Sequence, residues 1–140
     1  MQNELALPAK QENWEQVHCF LNQYLDSKGC TEKVRTQLLI AAEEIYVNIA
    51  QYAYQDRGDM ELAGIVSIEV NMQEDSGQAV ITFKDNGIRY DPLKKDAPDI
   101  TLSANQRQIG GLGIYIVRKM MDEVEYKYED GYNILTIKKG

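Results

Sequence analysis

Cysteine and histidine are scarce in this sequence of 140 residues, which has two cysteines, Cys19 and Cys30, and a single histidine. The cysteines do not form a C-x-x-C pair, and a structural zinc site needs four Cys or His ligands. A zinc site is therefore not expected. We expect both thiols to stay reduced in a cytoplasmic protein, because disulfides are rare in that compartment.

Long apolar runs are also missing. No segment reaches the roughly 20 consecutive apolar residues that a membrane-spanning helix needs. Residues 1–5 lack the basic segment and the apolar run of a signal peptide. The sequence therefore predicts neither a membrane span nor a secretion signal.

Positive charge is in deficit, with 15 Lys and Arg against 22 Asp and Glu, a formal net charge of −7 and a pI near 4.7. Such a surface disfavours nonspecific binding to nucleic acid or to an anionic membrane. Binding to protein partners stays possible, and so does binding of an anionic ligand where the negative charge is locally shielded. With 44% hydrophobic residues, the chain is long enough to bury a core, and we expect one domain over residues 1–140.

Apolar residues at helical spacing predict three helices, at residues 13–28, 31–52 and 114–121. Asn13 is a suitable N-cap for the first helix, and Gly29 is a typical stop after it. Alternation of apolar and polar residues predicts strands at residues 66–72, 79–83, 124–128 and 133–137, with a short edge strand at 4–7. We expect an α+β fold, a two-layer sandwich with the helices on one face of a mixed, mostly antiparallel sheet.

Glu44 and Asn48 are four residues apart in the second predicted helix, so they share one face of it, at the edge of the apolar stripe. The amide oxygen of Asn48 suits a hard cation such as Mg²⁺, and the carboxylate of Glu44 suits proton transfer with a hydroxyl. A solvated helix face would give the same pair.

Asp85-Asn86-Gly87 follows the second long strand directly. Gly87 lets the backbone turn sharply where a ligand approaches, and Asp85 can accept a hydrogen bond from an exocyclic amine such as that of adenine. Asn-Gly is also a common turn dipeptide, so an ordinary turn is the alternative reading.

A glycine-rich segment, Gly110-Gly111-Leu112-Gly113, follows a long aperiodic stretch and opens the third predicted helix. Backbone N–H groups at a helix N-terminus can hold a phosphate. The segment is not a Walker loop, because no Gly-Lys-Ser/Thr follows, and it lacks the dinucleotide fingerprint. A glycine-rich hinge is the alternative.

Taken in this order, the three motifs resemble the Bergerat ATP-binding fold of the histidine kinase-like ATPases, over nearly the whole chain. The chain is most similar to the anti-sigma factor serine/threonine kinases of that group. The resemblance rests on residues 7–10 (LPAK), 44–48 (EIYVN), 85–87 (DNG), 90–92 (YDP), 110–117 (GGLGIYIV) and 121–124 (MDEV). The family commonly has His four residues after the Asn, where this chain has Tyr52.

The resemblance implies roles for individual residues. Asn48 would hold the Mg²⁺ that bridges the phosphates of ATP, and Glu44 would be the catalytic base that activates a serine hydroxyl. Asp85 would bind the adenine amine, with Gly87 allowing the base to lie close. The remaining cofactor-binding residues would be Gly110, Gly111, Leu112 and Gly113 at the phosphates and Arg107 in a lid over residues 93–108, which also contains Lys94 and Lys95.

The resemblance further implies an anti-sigma factor that binds a sigma factor and phosphorylates a serine of an anti-anti-sigma (STAS-type) protein. A homodimer is also implied. The alternative function is a non-catalytic module that binds ATP or ADP only to set its affinity for a protein partner. Glu44 favours the kinase, because a module that only binds nucleotide does not need a base.

Overall fold

The computed structural model describes residues 2–54, 64–94 and 111–140. Within these ranges there are three α-helices and five β-strands. In chain order they are β1 (Glu4–Pro8), α1 (Trp14–Ser27), α2 (Glu32–Asn48), β2 (Ile65–Met72), β3 (Ala79–Asp85), α3 (Gly111–Met120), β4 (Glu123–Glu129) and β5 (Tyr132–Lys139). Two short 3-10 turns lie at Gln11–Asn13 and Pro92–Lys94.

The five strands form one sheet in the order β1-β2-β3-β5-β4, and each of these neighbouring pairs is antiparallel. Side chains alternate between the two faces, as in any strand. Val66, Ile68 and Val70 of β2 are fully buried, whereas Glu69 between them is exposed. One face of the sheet therefore carries the core, and the α+β prediction is confirmed.

The helices cover that buried face. Their apolar stripes pack on the sheet in one continuous core, to which α1 contributes Val17, Leu21 and Leu25, α2 contributes Leu38, Ala41, Ala42, Ile45 and Tyr46, and α3 contributes Val117. Local signals set the helix ends. Thr31 caps α2, because its side-chain oxygen accepts a hydrogen bond from Val34 N at 3.3 Å. Gly29, with φ of +76°, follows α1 as predicted.

The second helix continues through Tyr52 as predicted, but its form changes along the way. Its α-helical part stops at Asn48, and Ile49–Ala53 continue it as a π-helical turn. This turn has a partner outside the helix. Ile88 N donates a hydrogen bond to Ala53 O at 2.7 Å, which ties this turn to the loop after β3. A hydrophobic period does not record such a distant partner.

Two further details differ from the sequence prediction. Asn13 precedes α1, but its side chain makes no cap hydrogen bond and instead donates to Pro8 O at 2.9 Å. The third helix begins at Gly111 and not at Ile114, so Gly111 and Gly113 belong to its first turn. Among the helices of the described residues, none combines the length and the hydropathy needed to cross a membrane.

Candidate functional site

A cavity lies where the end of α2, the following π-helical turn and α3 face the sheet. It encloses about 480 Å³ of empty space, counting its open mouth. Its apolar walls come mainly from Ile45, Ile49, Phe83, Ile88, Ile114 and Leu135, and its polar lining includes Asn48, Asp85 and Asn133. Apolar walls with a few convergent polar groups are typical of a small-molecule site.

Asp85 stands at the end of β3 and is only 4% exposed. Its Oδ1 accepts two hydrogen bonds, from Gly87 N at 2.9 Å and from Asn133 Nδ2 at 3.0 Å. From the described residues, no hydrogen bond reaches Oδ2, which leaves that oxygen available to a ligand. Burial raises the pKa of Asp85, while the hydrogen bonds from Asn133 and Gly87 act in the lowering direction.

Asn133 is the second buried polar side chain of the core, at 7% exposure. It lies directly opposite Asp85 in the β3–β5 pairing. Its Nδ2 also donates to Ile88 O at 2.9 Å, and its Oδ1 accepts from Tyr90 N at 3.1 Å and from the Tyr126 hydroxyl at 2.5 Å. Asn133 thus joins the loop after β3 to strands β3 and β4.

Position 87 has to be a glycine because the π-helical turn packs directly against it. A Cβ at position 87 would overlap the carbonyl group of Ala53, which is backbone and therefore unable to move aside. Only a residue without a side chain lets the loop after β3 approach the turn so closely. The role predicted for Gly87, a close approach by a ligand, stays a prediction; in the structure the group that lies close to it is Ala53.

Asn48 and Glu44 both lie at the edge of the buried face of α2 and are half-buried. Asn48, the last residue of the helix, lines the cavity. Glu44 lies one turn earlier and reaches the start of α3, where a Cβ at Gly113 would overlap its Oε2. The missing side chain of Gly113 therefore makes room for the Glu44 carboxylate beside the first turn of α3.

The structure brings together part of the predicted site. Asn48 and Asp85 line the same cavity, and Glu44 meets Gly113 next to it. Gly111 and Leu112 belong to the first turn of α3. Gly110, Lys95 and Arg107 lie outside the described residues, as does most of the predicted lid. Of the lid, residues 93 and 94 belong to the 3-10 turn Pro92–Lys94.

Sequence reasoning missed the role of Asn133, although it placed the residue correctly in the last strand. A signal was available. Asn133, Leu135 and Ile137 alternate along β5, so an asparagine occupies a position of the inward-facing register. A polar side chain in such a position is buried only when it forms hydrogen bonds. Its partners should therefore be looked for among the neighbouring strands.

The residues present fit ATP and Mg²⁺. The acceptor Oδ2 of Asp85 suits the exocyclic amine of adenine, and the apolar walls suit the faces of its ring. Within the described residues, no group of three or more His, Cys, Asp or Glu side chains is placed to hold a metal. Mg²⁺ often takes one or two protein ligands and completes its shell with phosphate oxygens and water, and Asn48 can supply such a ligand.

The fold defines a class, that of two-layer α+β domains with helices on one face of an antiparallel sheet. Residues 7–139 match the histidine kinase-like ATPase domain family. The chain belongs to this family, and its α+β architecture is the fold of that family.

The curated relatives confirm the resemblance to the anti-sigma factor serine kinases. The chain is 28% identical over 137 residues to the serine-protein kinase RsbW of Bacillus velezensis, covering 96% of this chain and 83% of the relative. It is 27% identical to RsbW of Bacillus subtilis, with the same coverage. The serine/threonine-protein kinase BtrW of Bordetella bronchiseptica is 27% identical over 105 residues, or 75% of this chain and 70% of BtrW.

Solved structures share the fold at lower sequence identity. The SiaB–SiaC complex of Pseudomonas aeruginosa contains a chain that matches with a TM-score of 0.63 at 18% identity, covering 97% of this chain and 88% of that one. The RsbU and RsbW domains of a Mycobacterium tuberculosis protein match with a TM-score of 0.62 at 13% identity, covering 99% of this chain and 32% of that one.

Proposed function

We propose that this protein is an ATP-dependent anti-sigma factor that binds a sigma factor and phosphorylates a serine of an anti-anti-sigma protein of the STAS type. The observation that carries the proposal is the position of Glu44, beside Asn48 and against Gly113 at the start of α3. A base at this point would lie next to a helix N-terminus suited to phosphate. The similarity to proteins named serine-protein kinases supports the same activity.

Each residue would have one task in phosphoryl transfer. Asp85 would accept a hydrogen bond from the adenine amine, and Asn48 would hold Mg²⁺, which when bound offsets charge on the phosphates. Glu44 would take the proton of the serine hydroxyl as the serine oxygen bonds to the γ-phosphorus. The bond from that phosphorus to the β–γ bridging oxygen would break, and ADP would leave with the bridging oxygen. The backbone of Gly111 and Gly113 would face the phosphates.

The test separates nucleotide binding from transfer. Binding of Mg-ATP is measured by calorimetry, and transfer is measured with γ-labelled ATP and a purified anti-anti-sigma protein. We expect Asn48→Ala to weaken Mg-ATP binding at least about tenfold, because even the loss of a residue that only orients a metal ligand costs about tenfold to a hundredfold in metal affinity. We expect Glu44→Gln to keep binding within about threefold while transfer falls at least about a hundredfold, because proton transfer typically contributes this much.

Matched controls come from the same stretch of chain. Glu43→Gln removes an exposed carboxylate next to Glu44, and Gln51→Ala truncates an exposed carboxamide in the π-helical turn. Both variants should keep binding and transfer at the wild-type level. Absence of ATP binding by the wild type would refute the proposal. Tight ATP binding that changes the affinity for a protein partner, without transfer to it, would favour the non-catalytic module.

The assembly is part of the proposal. We propose that the chain acts in the cytoplasm as a single domain over residues 1–140 and as a homodimer. Sedimentation equilibrium of the full chain tests the dimer, because its mass would be twice the 16.0 kDa of one chain. A mass that stays at one chain at micromolar concentration would contradict it.

A further inference from the structure

Glu44 lies between the core and the outer surface of the helical layer. Its neighbours Ala41 and Ile45 are buried on the sheet side of α2. Glu44 itself is half-buried, with its carboxylate beside Gly113 at the start of α3. Because the core fills the sheet side, a protein that brings a side chain to this carboxylate has to rest on the outer surfaces of α2 and α3 around it.

The helices α2 and α3 are neighbours that run in opposite directions. Asn48, at the end of α2, and Ile114, in the first turn of α3, line the cavity together with Asp85, the last residue of β3. The chain then leaves α3 for β4, whose first residue, Glu123, pairs with the same residue of β5 as Val80 near the start of β3. α3 therefore begins where α2 ends and runs away from the cavity.

Two isoleucines lie next to the contact between Glu44 and Gly113. Ile40 is four residues before Glu44 in α2, and Ile116 is three residues after Gly113 in α3, so each lies on the same side of its helix as the contact. Because the helices are antiparallel, both isoleucines are displaced from the contact in the same direction, by about one turn or roughly 5–6 Å. They therefore lie side by side.

The exposure of this pair is unusual within the protein. Ile40 is 45% and Ile116 is 41% exposed. Among the helical side chains that the structure describes, these two are the only large apolar ones in the exposed class. Single exposed apolar residues are common on protein surfaces, but a pair beside a candidate catalytic group is typical of an interaction site.

Two lysines continue this surface away from the cavity. Lys33 lies seven residues before Ile40 in α2, and Lys119 lies three residues after Ile116 in α3. Both side chains are exposed, and within the described parts of the chain neither amine forms an ion pair. In a chain with a net charge of −7, two such amines favour an acidic group on the partner. These four residues are called the α2–α3 surface below.

We propose that the α2–α3 surface docks the part of the protein substrate that carries the phosphoacceptor serine, a proposal that rests on the proposed kinase function and extends it to substrate recognition. The occupant is defined by its chemistry. With the serine at Glu44, an apolar side chain about one helical turn away packs between Ile40 and Ile116. A carboxylate farther along the substrate meets Lys33 and Lys119. The apolar contact supplies most of the affinity, and the charges set the direction in which the substrate lies.

The first experiment replaces each isoleucine by glutamine, which is polar and has a higher helix propensity, so the variants are expected to fold. Transfer from γ-labelled ATP is measured over a range of concentrations of a purified anti-anti-sigma protein that the wild type phosphorylates. We expect Ile40→Gln and Ile116→Gln each to raise the KM for that protein about tenfold, the effect of removing one anchor of an interface. kcat should stay within about threefold, because the lost contact does not change during transfer.

The matched control for the isoleucines is Ile65→Gln. Ile65 is 50% exposed, more than either isoleucine of the α2–α3 surface, and it lies on β2 with its side chain on the face of the sheet opposite the helices. Its substitution should leave the KM for the anti-anti-sigma protein unchanged. Calorimetry should give the same Kd for Mg-ATP in all three variants and in the wild type, because none of these side chains lines the cavity.

The second experiment tests the charges. Lys119→Glu should raise the KM for the anti-anti-sigma protein about threefold at low salt, and about 0.5 M salt should remove most of this effect. Lys28→Glu is the matched control, because it makes the same change in net charge. The two lysines also have the same local contact, with Nζ 5.5 Å from the ring centroid of Tyr24 for Lys28 and of Tyr115 for Lys119. Lys28→Glu should leave the KM at the wild-type value.

The outcomes separate the docking surface from the proposed function. If the wild type phosphorylates no anti-anti-sigma protein, both fail. If it does and the KM is unchanged in both isoleucine variants, the docking surface is wrong while the kinase stands. The same holds if kcat falls at constant KM, which would mean that the isoleucines only position Glu44. Loss of sigma-factor binding or of the dimer mass at unchanged KM would assign the surface to that other partner and refute the proposal.

Discussion

The carbonyl oxygen of Ala53 accepts a hydrogen bond from Ile88 N and at the same time fills the space that a Cβ at Gly87 would need. The π-helical turn after α2 and the loop after β3 are thus packed backbone against backbone. π-helical turns are frequent at functional sites. Here the turn brings the end of α2, with Asn48, to the same cavity as the end of β3, with Asp85.

Gly87→Ala should disrupt this packing. The added methyl group meets a backbone carbonyl that cannot rotate away, and we expect a loss of about 1–3 kcal/mol in the free energy of unfolding, measured in urea. ATP affinity should fall as well, because the loop that follows Asp85 directly has to shift. Gly29→Ala is the control. Because φ of Gly29 is +76°, alanine there should lower the free energy of unfolding by about 1 kcal/mol through backbone strain alone. It should leave ATP affinity unchanged, and equal ATP affinity in the two variants would contradict the argument.

Thr31→Ala should destabilise α2 by about 1 kcal/mol, because Val34 N loses the oxygen that caps it. Urea denaturation of the full chain measures the effect. Thr36→Ala is the matched control, an exposed threonine inside the same helix. There alanine should stabilise by a few tenths of a kcal/mol through its higher helix propensity. Similar losses in both variants would show that the cap contributes nothing.

The predictable part of the fold is the part encoded locally. The strand β2 could be predicted because Val66, Ile68 and Val70 alternate with polar residues, and one buried face produces that alternation. The end of α1 and the start of α2 could be predicted, because Gly29 and Thr31 act within a turn of their own positions. These features need no knowledge of which element packs against which.

The rest depended on partners distant in sequence. Asn133 lies opposite Asp85 only because β5 pairs with β3 in one register, across 48 positions of chain. The π-helical turn is tied to the loop after β3 by the hydrogen bond from Ile88 N to Ala53 O. Residue spacing does not encode such pairings. The motifs therefore indicated residues of the candidate site, but the hydrogen bonds that hold those residues in place could not be predicted.

Gly113→Ala should separate stability from activity. Alanine is favoured over glycine inside a helix by up to about 1 kcal/mol, so α3 should gain or keep stability. The new methyl group takes the space of Glu44 Oε2, and this flexible side chain must swing aside. We expect the unfolding temperature to stay level or rise while phosphoryl transfer falls at least about tenfold, because the carboxylate that we propose as the base is displaced.

The double variant Gly113→Ala with Glu44→Gln tests that explanation. If displacement of the Glu44 carboxylate is the whole effect, the double variant should transfer no more slowly than Glu44→Gln alone. A further loss of transfer in the double variant would show that Gly113→Ala also acts in another way, for example by disturbing the binding of the phosphates. Unfolding temperatures of all three variants report whether any loss comes from misfolding.

Asp85→Asn should stabilise the protein at neutral pH, and the gain should shrink on acidification. Burial raises the pKa of Asp85 above its ordinary value of 3.8, so the folded protein bears the cost of a buried charge once the pH exceeds that raised pKa. Below the ordinary value the carboxyl is neutral in both states and the cost is gone. Burial also raises the pKa of neighbouring Tyr126, which therefore stays neutral in this range.

Asp122→Asn should show the opposite sign and serves as the control. Hydrogen bonds from Gly140 N and Gln78 lower the pKa of Asp122, so its carboxylate adds stability above the ordinary value, and this stability is lost as the pH falls through the lowered pKa. Thermal unfolding of both variants and the wild type between pH 3 and pH 7 measures the two differences. Asp85→Asn should gain relative to the wild type as the pH rises, and Asp122→Asn should lose. Parallel pH profiles would mean that the hydrogen bonds to Asp85 outweigh its burial, because both variants would then be removing a favourable negative charge.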